Sequence, residues 1–138
     1  MRVKPELELA EIDGMLAAAE EEALRNGWAV SIAIVDDGGY LLAFRRLAGA
    51  SKSSTQIAVD KARSAAITRR PTRFFEDMLA SGRTGAASLA GVIPMVGGLP
   101  ALFEGQVVGA IAVSGVKGEF DEQIAAAGLA FLNRCECR

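Results

Sequence analysis

Lys61 is the residue whose placement most invites chemistry. It lies in Asp60-Lys61-Ala62-Arg63, one helical turn from Ile57 and one from Ala65, on a face otherwise small and apolar. Taking a lysine ammonium out of water lowers its pKa, the usual route to a general base or nucleophile. A lysine in this setting can equally pair with an acid across a packed interface, or run its stem past Ile57 to water. Both readings stay open. Asp121 and Glu122 are adjacent acids that could act as a general acid/base pair. As plain structure they are a helix N-cap and a first-turn partner of the helix dipole.

The chain has no histidine. Ser-His-Asp and Cys-His catalysis are therefore closed to it, as is any imidazole bond to a metal or haem. Cys135 and Cys137 offer two thiols where structural zinc takes four ligands, so no metal site is expected. Lying one residue apart, they cannot staple the fold, and they point to a reduced, cytoplasmic protein. Gly97-Gly98 and Gly109-Ala110 lack the spacing of a phosphate loop or a dinucleotide site. They read as glycines of a turn and of a close strand approach.

Charge is unevenly spread. The 138 residues carry a net charge of −2 and give no nucleic-acid signature. From Arg45 to Arg73, however, eight bases (Arg45, Arg46, Lys52, Lys61, Arg63, Arg69, Arg70, Arg73) face one acid, Asp60, so the segment is +7 and the remainder −9. Such a block suits a small anionic ligand, or a solvated basic helix beside acidic neighbours. No apolar stretch is long enough to cross a membrane. The start, Met1 to Glu6, turns acidic before any apolar run, unlike a secretory signal.

The elements that must hold these residues follow from periodicity. Apolar types make up 51% of the chain, enough for one real core and against disorder. Residues 6–26 form an amphipathic helix with a stripe of Leu9, Ile12, Leu16, Ala19 and Ala23. Trp28–Val35 is apolar on both faces, so helices are expected on both sides of it. Asp36-Asp37-Gly38-Gly39 turns the chain into a second strand, Tyr40–Arg46. A helix over about residues 53–69 packs through Ile57, Ala58, Ala62, Ala65 and Ala66, and Pro71 ends it. Thr72 to about Leu79 is a short helix, and residues 81–91 are a loop. Ile93–Val96, Leu99–Phe103 and Gln106–Ser114 read as three strands, the first two nearer an edge because Pro94 and Pro100 cannot donate to a ladder. Asp121 and Glu122 open the last helix. The order α-β-β-α-α-β-β-β-α, with hairpin-joined strands, gives an antiparallel α+β sheet in a single domain over 1–138.

The run from Gly91 to Pro100, the run from Gly105 to Gly115, Val30–Asp36, Gly38-Gly39, the Asp60-Lys61-Ala62-Arg63-x-Ala-Ala helix and Asp121-Glu-Gln-Ile-Ala together resemble the GlcG/HbpS-like family. It is also called the haem-degrading domain family, and includes the C-terminal domain of PduO-type corrinoid adenosyltransferases. The resemblance covers about residues 7–132. It implies a profilin-like α-β-α sandwich with a five-stranded antiparallel sheet, a homo-oligomer that is often an octamer, and haem as ligand in some members. The matching positions are Lys61, Pro94, Gly97, Gly98, Gly109, Ser114, Gly115 and Asp121.

Two functions from different classes follow. The first is a small-ligand-binding oligomer taking haem or another anion, with Lys61, Arg69, Pro94, Met95, Gly97, Gly98 and Ser114 as the binding set. Haem would lack an imidazole here, leaving its iron Met95, Tyr40, a cysteine or a hydroxyl oxygen, which counts against it. The alternative is a cofactor-free enzyme acting on a small anionic metabolite of a catabolic pathway, with Lys61 as base or anchor and Asp121 or Glu122 as acid/base. A purely structural accessory subunit of a catabolic complex is a third, weaker idea.

Overall fold

The two segments that are apolar at nearly every position become the centre of one sheet. β1 (Ser31–Asp36) pairs antiparallel with β2 (Leu41–Arg46) through the Asp36–Tyr40 turn. β3 (Gly98–Phe103) and β4 (Gln106–Ser114) form the other hairpin. β1 and β4 join them, with Ile32 opposite Val113 and Ile34 opposite Ile111, giving the order β2-β1-β4-β3. The computed structural model describes residues 1–136 in this way. Its helices are α1 (Leu9–Arg25), α2 (Ser53–Thr68), α3 (Arg73–Ala80) and α4 (Gly118–Glu136), and Thr84–Ser88 forms one short 3-10 turn.

The two sheet faces bury different side chains. On one, Ile32, Ile34, Ile111 and Val113 meet Ile12, Met15 and Leu16 of α1 and Ile124 and Leu132 of α4. Each such large apolar side chain taken from water contributes about 1.5–3 kcal/mol. On the other, Ala33, Val35, Ala110 and Ala112 meet Ala58, Ala62, Ala65 and Ala66 of α2. Helices thus cover both faces of a strand with no polar side, as its composition requires.

The sheet has four strands rather than five. Ile93–Val96 is apolar but does not join the ladder. Pro94 has no N–H to give. The Ile93 N–H is taken by the Ser64 hydroxyl at 2.8 Å, and the Val96 N–H by the Glu76 carboxylate at 3.4 Å. Side chains of α2 and α3 have replaced a neighbouring strand as partner. Two helix starts also differ from expectation. α1 opens at Leu9 because Glu8 is extended and its N–H is capped by the Glu11 carboxylate at 2.9 Å. That leaves Leu7 free to pack against the core beside Gly109. α4 opens at Gly118, so Asp121 lies inside its first turn instead of at its cap. Phe120 in that turn stacks on Trp28 with ring centroids 4.7 Å apart.

Gly109 marks the closest strand approach. A Cβ there would lie 2.3 Å from the Val35 carbonyl oxygen, a backbone atom that cannot move alone. Gly109→Ala should therefore lower stability by about 1–3 kcal/mol, the usual cost of overpacking. Gly85→Ala, where nothing lies within 4 Å of the added carbon, should change it by less than about 0.5 kcal/mol. Urea unfolding of both variants checks this, and equal midpoints would show that the approach imposes no constraint.

Candidate functional site

Alanines on the inner face of α2 let the helix lie close to the sheet, and Lys61 is the one long side chain on that face. Its stem has no route to water. The Nζ donates to the Val113 carbonyl at 3.1 Å and to Oδ2 of Asp121 at 3.1 Å. Lys61 is 1% exposed and Asp121 2%. The other Asp121 oxygen accepts the Val116 N–H at 3.1 Å. Burial pushes the Asp121 carboxyl above its ordinary value, while the Lys61 ammonium and the Val116 and Gly115 N–H groups pull the other way.

Gly97 and Gly98 are the counterpart of that lysine. A Cβ on Gly97 would sit 2.8 Å from Nζ and 2.6 Å from the Val113 oxygen, at a φ of +137° that L residues rarely adopt. One on Gly98 would sit 2.6 Å from the Lys61 carbonyl. The Gly98 N–H is in turn held by the Thr72 hydroxyl at 2.9 Å. The sequence pattern placed these glycines in a turn. What it could not reveal is that the turn closes over an ammonium.

The remaining expected residues are spread out. Glu122 turns away from the pair and holds the Arg73 guanidinium, with Nε to Oε2 at 3.1 Å. Arg69 ends α2 in the left-handed region, and its guanidinium donates to the Ala66 and Asp37 carbonyls, both at 2.6 Å. Ser114 is buried at the end of β4, opposite Ser31, whose hydroxyl bonds that of Ser54 at 2.8 Å. Pro94 is half-buried and Met95 exposed. Cys135 is a free, half-buried thiol, and Cys137 lies outside the described residues. Among the described residues no three acids or cysteines gather as a metal cluster, and no helix is long and apolar enough to cross a membrane.

Lys61 and Asp121 are closed in the interior and line none of five surface cavities among the described residues. The groove nearest the expected binding segment lies on the outer flank of α2. It holds about 390 Å³ between Asp60 and Arg63 on one side and Gly91, Val92 and Ile93 on the other. Asp60 accepts the Gln56 amide at 2.8 Å. Arg63 is exposed and, among the described residues, makes no ion pair. Arg63 stands outside the expected binding set. Its signal in the sequence is the basic block from Arg45 to Arg73.

Comparison with known proteins decides the family. The family model for the haem degrading protein HbpS-like family matches residues 7–130. The chain belongs to the HbpS-like family. Among its relatives, Protein GlcG of Escherichia coli K12 is 40% identical over 114 residues, covering 83% of this chain and 85% of GlcG. Among solved structures, a double mutant of Streptomyces reticuli HbpS is 34% identical with a TM-score of 0.87, covering 96% of this chain and 90% of that one. A PduOC:haem complex is 25% identical with a TM-score of 0.85, covering 94% of this chain and 96% of that one.

The buried pair yields a stability test. Lys61→Met leaves the Asp121 carboxylate buried without its cation, and should cost about 3–5 kcal/mol. Asp121→Leu, which strands the ammonium, should cost a similar amount. The double variant Lys61→Met/Asp121→Leu should lose clearly less than the sum, since neither charge is then left alone. Chemical denaturation of the four proteins measures the cycle. Additive losses would show that the two groups are not coupled.

Proposed function

We propose that this chain is a small-ligand-binding member of its family, a single-domain cytoplasmic protein acting as a homo-oligomer, with an anionic ligand. The observation that carries the reading is the uncommitted Arg63 guanidinium on the groove beside residues 91–93, directly before Pro94 and Met95. A planar, permanently charged fork of this kind suits a carboxylate. The fold that bears it is one seen in a PduOC:haem complex.

The side chains suit haem unevenly. Arg63 can serve a propionate, and the exposed Met95 and Tyr40 offer a thioether and a phenol. An imidazole-ligated iron does not fit, because the chain holds no histidine. The favoured ligand is therefore a carboxylate bound through its charge, and haem fits only as a case of that class. The enzyme reading, with Lys61 and Asp121 or Glu122 as acid/base groups, asks the closed pair to open toward a substrate. It draws no support from the groove.

Titration of the tag-free protein with small dicarboxylates and with haem tests the proposal. Arg63→Gln should weaken binding by about 1.5–3 kcal/mol, the worth of a charged hydrogen bond. The melting temperature should hardly move, because the side chain is exposed. Any Soret band should lack the low-spin, nitrogen-ligated form. Affinity unchanged in Arg63→Gln would overturn the site, and a bis-nitrogen haem spectrum would overturn the ligand assignment.

A further inference from the structure

Asp60 and Arg63 stand three residues apart on α2, the spacing at which a helical acid and base ordinarily pair. They make no ion pair with each other. Each is drawn off by a different neighbour. Oδ1 of Asp60 accepts the Gln56 amide at 2.8 Å, one turn back along the helix. The stem of Arg63 leans onto the β1–β2 turn, where a Cβ on Gly39 would come 2.8 Å from its Cγ. The acids of that turn are engaged elsewhere. Asp36 accepts the Gly38 and Tyr40 N–H groups, both at 2.9 Å, and Asp37 pairs with Lys4. Both Asp60 and Arg63 line the groove that faces residues 91–93.

The groove therefore holds a separated acid and base. On its opposite wall the Ile93 N–H is spent on the Ser64 hydroxyl at 2.8 Å, and the Val92 N–H on the Leu89 carbonyl at 3.4 Å. Asp60 is half-buried, and its Oδ2 makes no hydrogen bond among the described residues. A carboxylate oxygen only accepts. A plain carboxylate seated on Arg63 would bring further acceptors, and a like charge, toward that oxygen. A ligand that satisfies both side chains carries a donor beside its carboxylate. On a helix, Cβ atoms three residues apart lie about 5–6 Å from each other. That spacing suits a donor and a carboxylate on the same carbon or on neighbouring ones.

We propose that the groove takes a small carboxylate bearing an ammonium or hydroxyl group on the same or the next carbon. The carboxylate sits on Arg63, and the donor sits on Oδ2 of Asp60. An ammonium fits better than a hydroxyl, because its hydrogen bond to Asp60 is charge-assisted from both sides. Asp60 is then the specificity-determining residue: it admits donor-bearing acids and disfavours plain ones. The inference rests on the carboxylate reading above and names which carboxylates that site accepts.

Calorimetric titration of the full chain with alanine, lactate and propionate tests it, since the three differ only at the carbon beside the carboxylate. Affinity should fall in that order. Asp60→Asn should weaken alanine roughly tenfold or more, the effect of losing a charged hydrogen bond, and should leave propionate unchanged or tighter. Asp60→Glu keeps the charge and should keep the order. Arg63→Gln should weaken all three. Equal weakening of the three acids by Asp60→Asn would sink the inference, because a general disturbance of the helix does not discriminate between ligands. Propionate bound as tightly as alanine, with Arg63→Gln weakening both, would remove the donor requirement and leave the carboxylate site standing. So would a dicarboxylate that binds through Arg63 while none of the three acids binds. If no carboxylate binds, or Arg63→Gln changes no affinity, the carboxylate reading and this inference fall together.

Discussion

One buried ammonium constrains more of this molecule than any other group. Lys61 reaches from α2 to the end of β4 and to the first turn of α4, and the Gly97–Gly98 turn closes over it. At 3.1 Å and an effective dielectric near 20, the attraction to Asp121 is about 5 kcal/mol. Removing each ion from water costs several kcal/mol. The two nearly cancel, so the pair adds little net stability. What it does supply is position. Any rotation of α2, shift of α4 or change at the glycine turn strands a charge where no water can reach it.

The same constraint explains why the two faces of the sheet look so unlike. α1 and α4 cover one face with isoleucines, leucines and a methionine. Large side chains hold those helices at ordinary packing distance and let two of them span the strands. α2 meets the sheet mainly through alanines, with Val35 and Phe44 the larger strand residues against it, which brings the helix near enough for a lysine stem to reach the far end of β4. The contact of α2 with β2 runs through Phe44, which packs against the alanine cluster, and through the Arg46–Thr55 hydrogen bond at 3.3 Å, while Tyr40 and Leu41 at the start of that strand stay exposed.

The features legible in the sequence are those set by neighbours in the chain. The helix over 53–69, the doubly buried strands and the alanine stripe all follow from local periodicity, and they lie within a few residues of where they were expected. The oddity of one lysine on that stripe was visible too. The fifth strand failed because Ile93–Val96 is apolar enough for a ladder, while its partners, the Ser64 hydroxyl and the Glu76 carboxylate, lie 29 and 20 residues away. The choice between a reactive and a paired Lys61 was likewise beyond reach, since Asp121 stands 60 residues downstream. Glu122 illustrates the complement. Next to Asp121 in sequence, it is turned about 100° around the helix and so meets Arg73 instead.

The buried pair and the surface groove are connected through the geometry of α2. Lys61 and Arg63 are two residues apart, which is about 200° around a helix, so fixing one beneath the helix fixes the other on its outer flank. Ser64 completes the clamp. Its hydroxyl donates to the Asp60 carbonyl at 2.7 Å and accepts the Ile93 N–H at 2.8 Å, tying the groove's helical wall to its opposite wall. The groove is thus braced from both sides by groups that never touch its contents. A ligand meeting Arg63 finds a guanidinium on a helix that cannot turn, and the ordering cost of holding that helix in place has already been met in folding. In the proposed reading Lys61 and Asp121 act as positioning residues: they hold the helix that carries Arg63, while the exposed guanidinium itself keeps its own rotamer freedom.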